Sequence, residues 1–149
     1  METHDFTTTL LVDKTPHEVF DAVNQPEQWW SGEVNGNATK LNDEFTYRYQ
    51  QFHFTRQSVV EMVPDKKVVW LVTESNLNYI EDKSEWTGTR IIFEITRQDK
   101  NKTLLRFTHA GLAPAIECYD ACSSTWVRLL QESLLSLINT GEGRQIVLG

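Results

Sequence analysis

The stretch Pro16–Trp30, PHEVFDAVNQPEQWW, decides how the rest of this chain is expected to fold. Thr15 stands before it as a helix N-cap, and Pro16 takes the first helical position, where its missing N–H costs nothing. Asn24-Gln25-Pro26 ends the helix, and one more turn closes on two adjacent tryptophans. Because the strand-like run Phe6–Asp13 comes just before it, the stretch is expected to form a helical plug at one end of a sheet.

Alternating polar and apolar residues predict a series of strands after this plug. Turn dipeptides such as Pro64-Asp65 separate the runs. Because parallel strands buried on both faces would be continuously apolar, the alternation predicts an antiparallel sheet with one covered face. Ser75–Trp86 is polar and irregular and is expected to be a loop or a frayed edge. The predicted strands are Phe6–Asp13, Glu44–Tyr49, Gln57–Val63, Lys67–Glu74, Thr89–Arg97 and Thr103–His109.

The segment Ala115–Thr140 is predicted to be the helix that covers the sheet. Its apolar residues recur at steps of three and four, and Gly141 follows as a natural C′ residue. One long helix across one curved antiparallel sheet is an α+β fold. With no repeat or linker in the 149 residues, a single domain over 1–149 is expected. The helical stripe consists of Tyr119, Cys122, Trp126, Leu130, Leu134 and Leu137.

Composition and charge exclude several classes of partner. A net charge of −7 argues against nucleic acid and anionic membrane surfaces, which require clustered Lys and Arg. No run of about 18 apolar residues exists, so no membrane insertion is expected. The start METHDFTTT lacks the basic and apolar regions of a signal peptide, which predicts a cytoplasmic protein.

Signatures of catalytic and metal sites are absent from the sequence. It contains no GxSxG, P-loop, GxGxxG or zinc-protease motif, and no pair of histidines has metal-ligand spacing. We therefore expect no cofactor, no metal site and no assigned catalytic residue. Cys118 and Cys122 are four apart rather than in a CxxC motif, so they are interpreted as small buried hydrophobes, with a thiol facing a pocket as the alternative.

Two of the histidines invite different interpretations. His109 ends the last predicted strand on the inward face, where a ring nitrogen could bind a ligand oxygen or could be satisfied within the core. His53 stands between Phe52 and Phe54 in a predicted turn and is expected to be exposed. Trp86 is likewise expected to be an exposed aromatic residue.

Five segments in order resemble the family named for the activator of the heat-shock-protein-90 ATPase, within the START-like (SRPBCC) helix-grip superfamily. The segments are TPHEVFDAVNQPEQWW, QSVVEMVPDKKVVW, GTRIIFEI, TLLRFTHAGL and STWVRLLQESLLSLINTG, which together span nearly the whole chain. The sequence departs from the family at Thr125, where Gly is common, and in the insert Leu77–Glu85. The resemblance implies a curved sheet of six to seven strands around the C-terminal helix, with two short helices after the first strand.

The resemblance also implies a cavity between the sheet and the C-terminal helix, although aromatic residues at this spacing can equally fill a core. Trp29 and Trp30 are candidates for one end wall of such a cavity, with at least one of them expected in the core. The candidate lining residues are Trp30, Phe45, Tyr47, Tyr49, Trp70, Phe93, Phe107, His109, Tyr119, Cys122, Trp126 and Leu130.

The leading hypothesis is a small-molecule binding protein, monomeric or weakly dimeric, that holds a hydrophobic or aromatic, lipid-like or polyketide-like ligand. The alternative is a cyclase or dehydratase acting on an aromatic or polyketide-like substrate. Turnover would then depend on an inward polar group such as His109 or Tyr119. A third hypothesis, a stress-related co-chaperone-like regulator, is suggested only by the name of the family.

Overall fold

The computed structural model describes residues 6–30, 32–49, 53–77, 86–100, 102–111 and 119–143, which form strands and helices in the predicted order. The strands are β1 (Phe6–Val12), β2 (Glu33–Gly36), β3 (Glu44–Tyr49), β4 (His53–Val63), β5 (Lys67–Leu77), β6 (Arg90–Asp99) and β7 (Lys102–Ala110). The helices are α1 (Pro16–Val23), α2 (Pro26–Trp29), α3 (Tyr119–Arg128) and α4 (Leu135–Thr140), and a π-helical segment, Leu129–Leu134, joins the last two.

The described strands form one antiparallel sheet in the order β1-β7-β6-β5-β4-β3-β2. Every neighbouring pair is consecutive in the chain except β1 and β7. The first strand, β1, forms one edge of the sheet and pairs with the last strand, β7. The register places Phe93 of β6 opposite Phe107 of β7, and both side chains are buried. The predicted α+β helix-grip arrangement is thereby confirmed.

Helix α1 starts as its sequence predicts. The Glu18 N–H donates to the Thr15 hydroxyl at 3.2 Å, which satisfies one of the free donors at the helix N-terminus. Val19 and Val23 are fully buried on one face of the helix, and Pro26 starts α2 after the break. Trp29 and Trp30 are therefore held against the sheet by two short, well-defined turns.

The C-terminal helix differs from the prediction in its middle. We predicted a continuous α-helix, whereas Leu129–Leu134 is π-helical, a wider turn that changes which side chains face the sheet. Within this turn Ser133 is buried and its hydroxyl donates to the Trp29 carbonyl at 2.6 Å. Gly141 ends the helix at φ +85°, as predicted. The predicted first turn from Ala115 to Cys118 lies outside the described residues.

The sheet is longer than predicted on the side of β4 and β5. Strand β4 begins at His53 rather than Gln57, and β5 continues past Glu74 to Leu77. The short polar strand β2 was not predicted, because Glu33–Gly36 has no apolar alternation. The first residues of β4 were not predicted as a strand either, because the buried residues there are polar. Of the insert Leu77–Glu85, Leu77 ends β5, and residues 78–85 lie outside the described residues.

Candidate functional site

An aromatic cluster lies between the sheet and the C-terminal helix. Its rings come from the end of α2, four strands, the segment before β6, and α3. All of its members are at most 4% exposed. We define the aromatic cluster as Trp29, Trp30, Phe45, Tyr47, Trp70, Trp86, Phe93, Phe107, His109 and Trp126.

Trp70 of β5 lies at the centre of the cluster. Trp29 and Trp30 lie nearly parallel to it, with ring centroids 6.3 and 6.2 Å away. Phe45 and Phe93 present their edges to it from the neighbouring strands, each with its centroid at 4.9 Å. Such edge-to-face pairs add stability beyond the apolar area that they bury. The two tryptophans predicted as an end wall are therefore packed against the middle of the sheet.

His109 is part of a chain of hydrogen bonds within the cluster. The Trp126 indole N–H donates to its Nδ1 at 3.1 Å, and its Nε2 lies 2.9 Å from the Thr89 hydroxyl. Because that hydroxyl donates to the Trp86 carbonyl at 2.6 Å, its oxygen must accept the hydrogen bond from the His109 Nε2–H. The chain of donors sets the tautomer: His109 is neutral and protonated at Nε2.

The electrostatics of the site agree with this tautomer. Burial, with a smaller contribution from nearby His53, lowers the pKa of His109 from 6.5 to about 3. A proton on Nδ1 would also face the Trp126 N–H, which is itself a donor. His109 thus lies on the inward face as predicted, with protein partners on both ring nitrogens.

Replacing Thr89 by valine is expected to lower the free energy of unfolding by about 1–3 kcal/mol, because the buried His109 Nε2–H loses its acceptor. The Trp86 carbonyl keeps the Thr89 backbone N–H as a donor at 3.0 Å, so only one group is left unpaired. Urea unfolding monitored by tryptophan fluorescence measures the loss. Thr73→Val, at an exposed hydroxyl, is the matched control and should change stability by less than about 0.5 kcal/mol. Equal effects of the two variants would contradict the hydrogen-bond chain.

His53 and Trp86 were predicted to be exposed, and both predictions are wrong. The His53 ring lies on β4, with its centroid 5.3 Å from Tyr47 and 4.9 Å from Trp86, and Trp86 is only 4% exposed. Although His53 as a residue is only partly buried, its Nε2 atom is shielded from solvent. Burial lowers the pKa of His53 to about 3. The error arose because β4 begins earlier than its apolar pattern indicates.

A strip of buried polar side chains on β4 and β5 was also missed by the sequence analysis. Thr55 and Gln57 are fully buried on β4, and Ser75, opposite Thr55 on β5, is 8% exposed. The Gln57 amide nitrogen donates to the Thr55 hydroxyl, and the Ser75 and Thr87 hydroxyls are 2.9 Å apart. Polar residues at alternate positions normally mark the wet face of a strand, so no signal in the sequence singles out these residues as interior.

Several polar atoms inside this region have no hydrogen-bond partner in the described structure. They include the indole nitrogens of Trp29 and Trp70 and the amide oxygen of Gln57, all with negligible solvent exposure. Leaving such a group unpaired costs about 1–3 kcal/mol. Two donors and one acceptor are thus available next to the rings of the cluster.

The remaining predicted lining residues fall into three groups. Leu130 is fully buried in the π-helical segment, in contact with the same core. Tyr49 is only partly buried, near the end of β3. The side chains of Tyr119 and Cys122 lie outside the described residues, as does Cys118. The structure therefore brings together Trp30, Phe45, Tyr47, Trp70, Phe93, Phe107, His109 and Trp126 in the aromatic cluster.

Away from the aromatic cluster, an open groove of about 550 Å³ lies on the surface between the start of α1, the β4–β5 turn and β6. The His17 ring at its rim lies 2.9 Å from the Asp65 carboxylate and 3.2 Å from that of Asp21, and the hydrogen bond that His17 donates to Asp65 raises the pKa of His17. Within the described ranges, no cluster of three His, Cys, Asp or Glu side chains could hold a metal ion. The same ranges contain no helix long and apolar enough to span a bilayer.

Comparison with solved structures shows the same fold in distant proteins. The solution structure of the Aha1 dimer from Colwellia psychrerythraea has a TM-score of 0.73 at 20% identity and covers 93% of this chain and 98% of its own. An Hsp90 activator from Plasmodium falciparum, PFC0360w, has a TM-score of 0.64 at 15% identity, covering 93% of this chain and 96% of its own. DynU16, from the dynemicin biosynthetic locus, has a TM-score of 0.67 at 14% identity, covering 94% of this chain and 49% of its own.

No curated protein matches the sequence significantly. A family model does match: activator of Hsp90 ATPase homolog 1-like protein, over residues 13–139. The matched range begins just before α1 and ends in the C-terminal helix, so it includes the whole aromatic cluster and the strands that carry it. This chain is therefore a member of the family of activator of Hsp90 ATPase homolog 1-like proteins.

Proposed function

We propose that this protein binds one apolar, ring-containing small molecule between the sheet and the C-terminal helix. The observation that carries the proposal is a pair of buried indole N–H groups in the aromatic cluster. Those of Trp29 and Trp70 have no hydrogen-bond acceptor in the described structure. A ligand oxygen could accept from them, while the aromatic side chains supply the apolar contact area that such sites generally use.

The state of the histidines favours binding over acid–base catalysis. A general base works best with a pKa near the working pH, whereas the pKa values of His53 and His109 are lowered to about 3. Both ring nitrogens of His109 are also engaged by Trp126 and Thr89. We therefore propose that these two histidines contribute to the shape and polarity of the binding site and do not transfer protons.

An enzyme of the cyclase or dehydratase type is the second candidate, favoured by the likeness of the fold to DynU16 from a biosynthetic locus. It would use the same site and differ in giving a product. A co-chaperone role is favoured only by the likeness to the Plasmodium falciparum Hsp90 activator. Each of these two candidates predicts an additional change, in the ligand or in an ATPase, that simple binding lacks.

Calorimetric titration with 9-fluorenone, a steroid and a fatty acid tests the proposal. We expect at least one of these probes to bind at one molecule per chain and to change the tryptophan emission of the cluster. The mass of the protein is measured by light scattering at the same concentration, because we also propose a monomer or weak homodimer. Absence of binding by all three probes would overturn the proposed function.

A pair of variants tests the role of the indole N–H groups. Trp70→Phe keeps an aromatic ring and removes an unpaired N–H, so we expect the preference for 9-fluorenone over fluorene, which lacks the carbonyl, to fall about 2- to 10-fold. Trp126→Phe makes the same change where the N–H already bonds His109, and it should leave that preference unaltered. A preference that is the same in both variants would assign the binding to apolar contact alone.

A further inference from the structure

We propose that Gln57 recognises a hydroxyl group of the bound molecule, so that the ligand class is a hydroxylated ring compound. The inference rests on the proposed function and deepens it by naming a polar feature of the ligand. The aromatic pattern did not predict Gln57 as part of the site.

The strand register places Gln57 beside the centre of the aromatic cluster. Gln57 lies directly opposite Phe45 on β3 and Val72 on β5, and all three side chains are buried. Opposite residues of antiparallel strands have their Cβ atoms about 4.5–5.5 Å apart. Because the Phe45 ring lies 4.9 Å from that of Trp70, Gln57 is the cross-strand neighbour of a residue that packs directly on the Trp70 indole.

One end of the Gln57 amide has no hydrogen-bond partner in the described structure. Its nitrogen donates to the Thr55 hydroxyl, and its oxygen has no donor within the described structure. The indole nitrogens of Trp29 and Trp70 are donors without acceptors in the same region. A ligand hydroxyl matches both needs, because it donates one hydrogen bond and accepts others. If the amide oxygen and nitrogen were exchanged by a flip of the side chain, the ligand hydroxyl would accept a hydrogen bond from the nitrogen instead.

The energetics of the unliganded protein distinguish this role from a structural one. A glutamine kept for stability would have both ends of its amide satisfied, since a buried unpaired polar group destabilises the fold. Replacing Thr55 and Gln57 together by valine and leucine removes both hydrogen-bonding side chains at similar volume. We expect the double variant to unfold at a higher urea concentration than the wild type, whereas a structural role predicts a lower midpoint.

Two probes that differ in a single group test the recognition itself. 2-Naphthol and 2-methylnaphthalene have the same ring system and nearly the same size, and only the first carries a hydroxyl. Their dissociation constants are measured by calorimetry with the wild type, with Gln57→Leu and with Gln98→Leu, an exposed control on β6. We expect the relative preference for 2-naphthol to fall about tenfold in Gln57→Leu, the value of one good hydrogen bond, and to be unchanged in Gln98→Leu. Gln57→Met serves in place of Gln57→Leu if the latter fails to fold.

The possible outcomes separate this inference from the function on which it rests. If both probes bind and their ratio is the same in all three proteins, the role of Gln57 is overturned while the proposed function stands. If neither probe binds the wild type, the role of Gln57 is overturned, and the proposed function falls with it only if the wider panel also fails. An equal fall in Gln98→Leu would overturn the assignment to Gln57.

Discussion

Acidification from pH 6.5 towards pH 3 is expected to unfold this protein, because two histidines are held neutral, His109 within the aromatic cluster and His53 beside it. His53 and His109 have pKa values lowered by burial from 6.5 to about 3. Between these values the unfolded chain binds a proton at each histidine and the folded chain does not. Stability is therefore complete above pH 6.5 and is lost as the pH falls through this window.

The loss of stability from protonating these two histidines is large compared with the stability of a typical domain. Each histidine lowers the free energy of unfolding by about 1.4 kcal/mol per pH unit, and the two together by about 2.7 kcal/mol per unit. Over the window from pH 6.5 to about 3 the loss reaches about 9.5 kcal/mol, so a domain at the lower end of the ordinary range of about 5–15 kcal/mol should reach its unfolding midpoint above pH 3.

Urea unfolding at a series of pH values between 7 and 4, followed by circular dichroism and tryptophan emission, measures the slope. His53→Phe should reduce the slope by about half, whatever its effect on absolute stability. His17→Asn is the control, since the pKa of His17 is raised by its exposed aspartate neighbours. The stabilisation from His17 is present below pH 6.5 and is lost only as the pH rises through its raised pKa. A free energy of unfolding that stays constant down to pH 4 would contradict the burial of neutral histidines.

Truncation of Trp70 to alanine is expected to lower the free energy of unfolding by about 3–5 kcal/mol, the cost typical of removing a large aromatic side chain from a packed core. Trp70 is fully buried, and its ring contacts those of Trp29, Trp30, Phe45 and Phe93. Its indole N–H has no acceptor, so the loss comes from packing and from the cavity left behind rather than from a broken hydrogen bond. Equilibrium unfolding in urea at pH 7 measures the difference.

A matched truncation at the edge of the sheet provides the control. Leu11 on β1 is 57% exposed, so Leu11→Ala should change the free energy of unfolding by no more than about 0.5 kcal/mol. A loss below about 1 kcal/mol for Trp70→Ala would mean that the neighbouring rings close over the gap. In that case the cluster would be far more deformable than a close-packed core.

Much of the architecture could be predicted because it depends on local pattern. The N-cap at Thr15, the break at Pro26 and the end at Gly141 each depend on one residue's backbone chemistry, and each is confirmed. The alternation in β3, β6 and β7 likewise places the buried aromatic residues on one face, as Phe45, Phe93 and Phe107 illustrate. These signals survive in a single sequence because they involve near neighbours along the chain.

The candidate site was only half predictable, and its polar half was missed. Alternation shows which residues share a face of a strand but not which face is covered, so the sequence analysis did not identify Thr55 and Gln57 as interior residues. His109 acquires its tautomer from Trp126 and Thr89, which lie on other elements of the fold. The π-helical turn that lets Ser133 reach the Trp29 carbonyl has no signature in the apolar stripe.

The sequence by itself determined the family, the order of the elements and the face of the sheet that the rings occupy. Capping, turn formation and hydrophobic periodicity act over a few residues, so they can be deduced without coordinates. Only the tertiary structure decided which polar groups are buried, and whether each of them is paired. Hydrogen bonding and desolvation depend on atoms brought together from distant parts of the chain, as the buried and unpaired amide oxygen of Gln57 shows.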